Sequence, residues 1–210
     1  MKKNAWIKLV FALLFFVGAT VDIQAQKNAR FEVGDKAPNI NIKDVKGDKL
    51  NLKSLAKDQK VLLVFLRHAW CPVCNFRTHE LIKNYEALKA KGYEIVVVYE
   101  SKQEKLIDYV EDKKLPYRVI ADPEGDLYKL YRVERSQKKM KLGIGKKGFK
   151  ELYAEGTKLY GEKGLEAYKA EGEGETSMLI PADFVIEGQK ITTSYYGKFL
   201  GDHLAIKDIK

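Results

Sequence analysis

The chain has 210 residues, with 38 lysines and arginines against 29 aspartates and glutamates, for a formal net charge of +9. Its basic residues are interspersed with acidic ones, and the one dense basic run, 138–150, belongs to no recognised nucleic-acid-binding fold or aromatic–basic platform. We therefore expect no nucleic-acid partner, while attraction to an anionic envelope surface stays open.

Residues 1–25 have the pattern of an export signal. Two lysines precede an apolar stretch over 9–19, and the small Ala25 is the expected last residue removed. A stretch this short falls below the ~20 residues that span a bilayer. We expect a periplasmic or secreted protein whose single domain occupies 31–210, and an uncleaved N-terminal membrane anchor is the alternative.

The rest of the chain alternates strand and helix patterns. Alternating apolar residues on both sides of Lys46-Gly47-Asp48 predict an N-terminal β-hairpin. The apolar run 61–66 predicts a buried central strand, followed by a helix over 72–91 that Gly92 ends. Further strands are predicted at 94–99, 117–121, 183–187 and 191–196, and helices at 103–113, 126–132 and after Asp202 as N-cap. This order predicts an α/β fold, a central mixed sheet with helices on both faces.

Both cysteines lie in one motif, Trp70-Cys71-Pro72-Val73-Cys74, between the central strand and the next helix. A thiolate is the nucleophilic form of cysteine, and the unpaired N–H groups at a helix start favour a negative sulfur. Pro72 suits the first helical position, and Cys74 lies one turn further on the same face. We expect Cys71 to face solvent and to be the attacking thiol. Cys74 is expected to be the resolving thiol, which closes a disulfide with Cys71. Half a zinc site has this spacing too, but the second cysteine pair of a zinc ribbon is missing.

Three residues just before Cys71 are candidate supporting groups. Arg67 could stabilise the thiolate and orient a peroxide oxygen, or it could be a solvent-facing charge at a strand end. His68 could move protons or lower the thiol pKa, or be a polar loop neighbour. Trp70 is interpreted as a packing lid over the dithiol.

Residues 134–177 form an insertion between the 126–132 helix and the last strands. The segment is rich in glycine, yet its apolar residues from Phe149 to Tyr160 follow a helical stripe. An amphipathic insertion packed on the core is one interpretation. A mobile cover or partner-docking surface beside the active site is the other, because the insertion leads directly into Pro181.

These motifs resemble the thioredoxin-fold redoxins, and most closely the alkyl hydroperoxide reductase/thiol-specific antioxidant branch, peroxiredoxin-like proteins that carry a C-x-x-C. The resemblance rests on the cysteine motif and on three further segments: 31–38, 180–186 and 195–203. It implies a thioredoxin-like fold, a dithiol/disulfide cycle and no cofactor. It also implies a cis peptide bond before Pro181, which would face Cys71 and turn the backbone of Ile180 toward a bound substrate.

The chain departs from peroxiredoxins proper at three positions. Where these proteins carry a proline and a threonine ahead of the peroxidatic cysteine, this chain has Val64 and His68. At the place where peroxiredoxins carry an arginine that enters the final hairpin, this chain has Pro181. Peroxide reduction is therefore less directly indicated than dithiol chemistry.

Three functions remain open from the sequence. The first is a thiol-disulfide oxidoreductase acting on protein or small-molecule disulfides and recharged by a thiol reductant. The second is a peroxidase in which Cys71 becomes a sulfenic acid that condenses with Cys74. The third is a copper or zinc carrier that uses both cysteines and His68.

We predict that the mature protein begins near Gln26 and is recovered outside the cytoplasm, because 1–25 has the charged start, short apolar run and small cleavage residue of a signal peptide. Intact mass of the protein isolated from the cells that make it tests this. A soluble cytoplasmic protein that still begins at Met1 would contradict it.

Overall fold

The computed structural model describes residues 29–166 and 177–209. The chain divides at Arg30, and the compact unit from Phe31 onward holds every element named below. The predicted signal sequence, 1–25, lies outside the described residues. Within the described part, no helix is both long and apolar enough to cross a membrane.

The predicted N-terminal β-hairpin is confirmed. Strand β1 (Asn41–Lys43) pairs antiparallel with β2 (Lys49–Asn51). Asp44 shapes the turn, because its carboxylate accepts hydrogen bonds from two backbone N–H groups of the turn. A helix that the sequence did not predict, α1 (Leu52–Asp58), follows directly and is capped by the side chain of Asn51.

The central sheet has five strands in the order β5-β4-β3-β6-β7. Their bounds are β3 (Lys60–Phe65), β4 (Tyr93–Tyr99), β5 (Arg118–Ala121), β6 (Ala182–Glu187) and β7 (Lys190–Tyr196). The β3-β4 and β4-β5 pairs are parallel, whereas β6 pairs antiparallel with β3 and β7. The sheet is mixed, as predicted, and β3 at its centre points toward the cysteine motif.

The two faces of β3 explain its unbroken apolar run. Leu62 and Val64 belong to one core, which also contains both cysteines. Val61, Leu63 and Phe65 belong to a second core on the opposite face. Because successive side chains of a strand point to opposite faces, a strand buried on both must be apolar throughout.

Helices flank the sheet. They are α2 (Pro72–Lys83), α3 (Tyr85–Ala90), α4 (Gln103–Lys113), α5 (Asp126–Leu130), α6 (Gln137–Ile144) and α7 (Phe149–Lys158), with 3₁₀ turns at Gly161–Lys163 and Ile206–Asp208. The helix predicted over 72–91 is interrupted at Asn84. Both the backbone N–H and the side-chain amide of Asn84 donate to the Glu80 carbonyl, and this local bonding competes with helix continuation.

The described part of the insertion packs on the domain through two glycines. A Cβ atom at Gly143 of α6 would lie 2.7 Å from the backbone nitrogen of Leu200, and one at Gly156 of α7 would overlap the carbonyl oxygen of Pro72. Only glycine allows so close an approach. The predicted stripe from Phe149 is confirmed as α7, whereas α6 was not predicted and 167–176 lie outside the described residues.

The predicted C-terminal helix after Asp202 is wrong for the described residues, which end in a single 3₁₀ turn. Asp202 instead accepts hydrogen bonds from the Lys198 amide and the Tyr195 hydroxyl. Both backbone groups of Leu204 are bound by side chains of other elements: its N–H donates to Asp183 and its carbonyl accepts from Arg77. These contacts hold the segment in a non-helical conformation.

We predict that Asp183→Asn lowers the free energy of unfolding at pH 7 by about 3–5 kcal/mol, because it breaks a buried ion pair. Asp183 is fully buried, and its carboxylate lies 3.0 Å from His203 Nδ1 and 3.9 Å from Arg77 Nη2. Burial alone would raise the pKa of Asp183, but His203 and Arg77 hold it below its usual range. Urea unfolding measures the loss.

A carboxylate with a depressed pKa stabilises the fold above its unfolded-state pKa, and that contribution is lost as the pH falls through the folded-state pKa. The gap between wild type and Asp183→Asn should therefore shrink below about pH 4. Asp126→Asn is the control, since Asp126 pairs with Lys129 on the exposed surface and such pairs contribute roughly 0–1 kcal/mol. Equal effects of the two variants at pH 7 would contradict the prediction.

Candidate active site

Cys71 occupies the N-cap position of α2, immediately before Pro72. Its backbone is extended, and its sulfur accepts a hydrogen bond from the N–H of Cys74 at 3.4 Å. An N-cap side chain is usually an oxygen acceptor such as serine or aspartate, and here a sulfur fills that role. Cys74 lies one helical turn further on, as the spacing predicted.

Both sulfurs are buried: Cys71 is 3% exposed and Cys74 is 4% exposed. The expectation that Cys71 would face solvent is therefore wrong. Cys71 belongs to the core, and the insertion packs on both of its flanks: Gly156 of α7 lies against the carbonyl of Pro72, and the Tyr160 hydroxyl donates to the carbonyl of Ala69 at 2.7 Å. The insertion thus contacts the chain on both sides of Cys71.

The two thiols differ in acidity although they are equally buried. A hydrogen bond from the Cys74 thiol is the largest influence on Cys71; burial opposes it, and Arg67 and two backbone N–H groups add to it. Together they lower the Cys71 pKa to about 6. Burial is the largest influence on Cys74 and, with the neighbouring Cys71, raises its pKa well above the ordinary value. At neutral pH Cys71 is the thiolate and Cys74 is the thiol that donates to it.

Arg67 lies against the Cys71 sulfur. Its Nη1 atom is 3.5 Å from Cys71 Sγ, and its side chain is half-buried. The Nε atom is buried and makes no hydrogen bond among the described residues. Of the two interpretations open from the sequence, the structure supports the thiolate neighbour rather than a solvent-facing charge.

His68 does not help to ionise Cys71. Its ring is buried and stacks on Trp70, with centroids 4.4 Å apart. Burial, with a smaller contribution from Arg67, lowers the pKa of His68 to about 3, so the ring is neutral at pH 7. Trp70 is half-buried and packs against the core that contains both cysteines, as a packing role requires.

Ile180 and Pro181 differ from the expectation. The peptide bond between them is trans, as are all peptide bonds in the described residues, so the predicted cis bond is wrong. The segment continues extended from the Leu179–Arg135 bridge into β6, a course that the intrinsically preferred trans form allows. The backbone of Ile180 was expected to bind substrate, and its N–H donates to the Glu134 carbonyl at 2.9 Å.

A buried polar network beneath the dithiol was missed from the sequence. Asn75 is fully buried, donates to the carbonyl of Gly156 at 2.8 Å and accepts from the Tyr109 hydroxyl at 2.8 Å. Thr78 donates to the carbonyl of Cys74 and bonds the hydroxyl of Tyr99. Asn75 and Thr78 follow Cys71 at the i+4 and i+7 positions of one helix face, and this was the only signal that the sequence offered.

The metal-carrier hypothesis lacks a site in the part of the chain that the structure describes. There, no three histidine, cysteine or acidic side chains come together as metal ligands. Cys71, Cys74 and His68 therefore do not form the set that this alternative required.

We predict that iodoacetamide modifies Cys71 at a rate that rises with pH through about 6 and levels off above pH 7, because only the thiolate reacts. Cys74 should react at least about tenfold more slowly at pH 7. The two thiols are equally buried, so the difference reports ionisation. Peptide mass spectrometry after timed labelling measures both rates.

Arg67→Gln should move the Cys71 midpoint to higher pH, since it removes a positive charge beside the thiolate. His68→Phe keeps the stacked ring and serves as the control, with an unchanged midpoint. Equal labelling rates for the two cysteines would overturn the assignment of the thiolate.

Known proteins were compared with this chain. Residues 33–193 match the AhpC/TSA family. The thiol-disulfide oxidoreductase ResA of Bacillus thuringiensis subsp. konkukian is 30% identical over 138 residues, which cover 63% of this chain and 79% of that protein. The peroxiredoxin Bcp of Escherichia coli K12 is 29% identical over 93 residues, covering 44% of this chain and 59% of that protein.

Solved structures share the fold. A peroxiredoxin 6 of Arenicola marina superposes with a TM-score of 0.61 at 15% identity, covering 85% of this chain and 70% of that one. The peroxidoxin BcpB of Mycobacterium tuberculosis gives 0.58 at 16% identity, covering 82% and 90%. These similarities confirm the predicted thioredoxin-like fold. Because the family match extends over most of its length, the chain belongs to the AhpC/TSA family.

Proposed function

We propose that the protein is an exported thiol-disulfide oxidoreductase in which Cys71 attacks and Cys74 resolves. Its family and its cysteine pair make it a redoxin-type thiol oxidoreductase. We assign the two roles from the pKa values of the thiols, which are shifted in opposite directions. The pKa of Cys71 is lowered and that of Cys74 is raised. One sulfur is ready to attack at neutral pH while the other keeps its proton.

The cycle begins when the Cys71 thiolate attacks one sulfur of a substrate disulfide. A bond forms between Cys71 Sγ and that sulfur, the substrate S–S bond breaks, and the first thiolate leaves. Cys74 gives its proton to this leaving thiolate and then attacks Cys71 Sγ, which releases the second substrate thiolate to be protonated by water. The protein is oxidised by two electrons to the disulfide, and the substrate is reduced to two thiols.

Arg67 has two uses in this cycle. Its guanidinium is 3.5 Å from the sulfur that carries the negative charge before attack, which stabilises the resting thiolate. It also offers hydrogen-bond donors to a substrate that reaches that sulfur. Both uses depend on charge, so a neutral side chain at this position would weaken them.

Peroxide reduction is the second candidate, and Arg67 beside a buried thiolate is the observation that favours it. The Cys71 thiolate would attack the terminal peroxide oxygen, the O–O bond would break, and the departing alkoxide or hydroxide would take up a proton. The sulfenic acid formed on Cys71 would then condense with the Cys74 thiol to give a disulfide and water. Val64, His68 and Pro181 still depart from the peroxiredoxin pattern.

The sequence pattern of 1–25 supports the proposed export. In an oxidising compartment the Cys71–Cys74 disulfide persists until a thiol reductant attacks it. The proposal therefore requires a reducing partner that supplies two electrons for each turnover.

We predict that Cys71→Ser abolishes turnover of bis(2-hydroxyethyl) disulfide, whereas Cys74→Ser accumulates a stable mixed disulfide on Cys71. The first variant lacks the attacking sulfur, and the second lacks the sulfur that releases the product. Intact mass under non-reducing conditions shows the adduct, and circular dichroism shows that each variant is folded.

Treatment with hydrogen peroxide tests the peroxidase alternative. If the peroxidase alternative holds, Cys74→Ser treated with one equivalent of peroxide carries a sulfenic acid on Cys71 that dimedone traps. Adduct formation on Cys74 in the Cys71→Ser variant at the wild-type rate would contradict the assigned roles in both chemistries.

A further inference from the structure

We infer that the packed insertion restricts the site to low-molecular-weight disulfides by covering the surface that a protein disulfide would have to reach. This inference rests on the proposed function, because it names the substrate class of the same dithiol. Gly156 and Tyr160 are the specificity-determining residues.

The first contact is backbone against backbone. Gly156 of α7 lies so near Pro72 that a Cβ atom there would overlap the Pro72 carbonyl oxygen and crowd its carbonyl carbon at 2.7 Å. Pro72 directly follows the attacking cysteine. Gly156 of α7 therefore lies directly against the first residue of α2, next to the attacking cysteine.

The second contact is on the other side of Cys71. The Tyr160 hydroxyl donates to the Ala69 carbonyl at 2.7 Å, and its ring is buried in the core that holds both cysteines. The Lys113 ammonium group donates to the carbonyls of Leu159 and Tyr160, and a ring nitrogen of His79 lies 3.1 Å from the Leu159 carbonyl. The end of α7 is thus fastened to both α2 and α4.

The third contact joins α7 to α2 through the side chain of Asn75. Asn75, one residue after Cys74, donates to the carbonyl of Gly156 and is itself held by the Tyr109 hydroxyl. A buried amide that loses such partners is costly, by roughly 1–3 kcal/mol for each unsatisfied group. Lifting α7 would break this bond together with the bond from Tyr160, so the covered state is the stable one.

The approach that we assign to the substrate is the side of Cys71 that faces Arg67. Arg67 lies beside Cys71 Sγ and is only half-buried, whereas the insertion contacts the carbonyls of Ala69 and Pro72 on either side of Cys71. Thiol-disulfide exchange requires a disulfide sulfur to approach the thiolate directly. A small disulfide can enter beside one side chain, but a protein disulfide brings two flanking chain segments that would collide with α7.

The experiment compares two oxidants in single turnover with the reduced full-length protein: bis(2-hydroxyethyl) disulfide and insulin. Free thiols are quenched with an alkylating agent at timed intervals and counted by mass. Gly156→Ala should raise the rate with insulin at least tenfold, because the added methyl group forces α7 away from Pro72. The readout is the insulin-to-small-disulfide rate ratio, because a change in the pKa of Cys71 on exposure of the dithiol would affect both rates alike.

Two further variants make the test specific. Tyr160→Phe removes the hydroxyl that donates to Ala69, keeps the ring, and should raise the insulin rate by about threefold. Gly145→Ala adds the same methyl group at another position of the insertion, where the nearest atom is 3.5 Å away, and should change neither rate. If circular dichroism shows that Gly156→Ala is unfolded, the rates of Tyr160→Phe test the inference.

The inference is overturned if the folded variants leave the insulin-to-small-disulfide rate ratio at the wild-type value, or if Gly145→Ala raises the ratio as much as they do. A wild-type protein that oxidises with neither disulfide would overturn the proposed function itself. The two failures are therefore distinguishable in one data set.

Discussion

The site depends on a negative sulfur that is held out of water at the start of a helix. A buried charge without partners is costly, so the fold must supply donors where solvent would otherwise do so. The N–H and thiol of Cys74 donate to Cys71, and Arg67 supplies a positive charge. Each follows from where β3 ends and α2 begins, since that junction sets Arg67 and Cys74 on either side of Cys71.

Local patterns predicted the parts of this arrangement that short stretches of sequence control. The β-hairpin, the two-faced strand β3 and the Cys71-Pro72 helix start depend on alternation, apolar runs and capping chemistry, all of which act between near neighbours. The unpredicted helix α6 has a serine cap, but its buried residues are Met140 and Gly143, whereas the apolar Leu142 and Ile144 are exposed, so its apolar pattern does not mark the buried face. The interruption of the helix at Asn84 was not predicted, because the helical spacing of apolar residues continues through that position.

The wrong predictions share a cause, which is contact between residues far apart in the chain. Asp202 has the chemistry of a helix cap, but Asp183 and Arg77 hold the backbone of Leu204. Cys71 has the position of an exposed thiol, but it is buried and the insertion packs against Pro72 and Ala69 on either side of it. Pro181 occupies the position of the family's cis proline, but the peptide bond between Ile180 and Pro181 is trans. The Ile180 N–H donates to the Glu134 carbonyl.

Covering the dithiol has opposite effects on its two sulfurs, and the asymmetry of the site follows from that. Burial raises the pKa of any thiol, and for Cys74 nothing outweighs it. For Cys71 the donors outweigh burial, and the most important donor is the Cys74 thiol itself. Cys74 can donate only while it keeps its proton, so the same burial that delays its ionisation maintains the Cys71 thiolate until substrate arrives. In the proposed cycle, once Cys71 is bound to a substrate sulfur, that donation has no acceptor, and Cys74 is free to ionise and resolve the mixed disulfide.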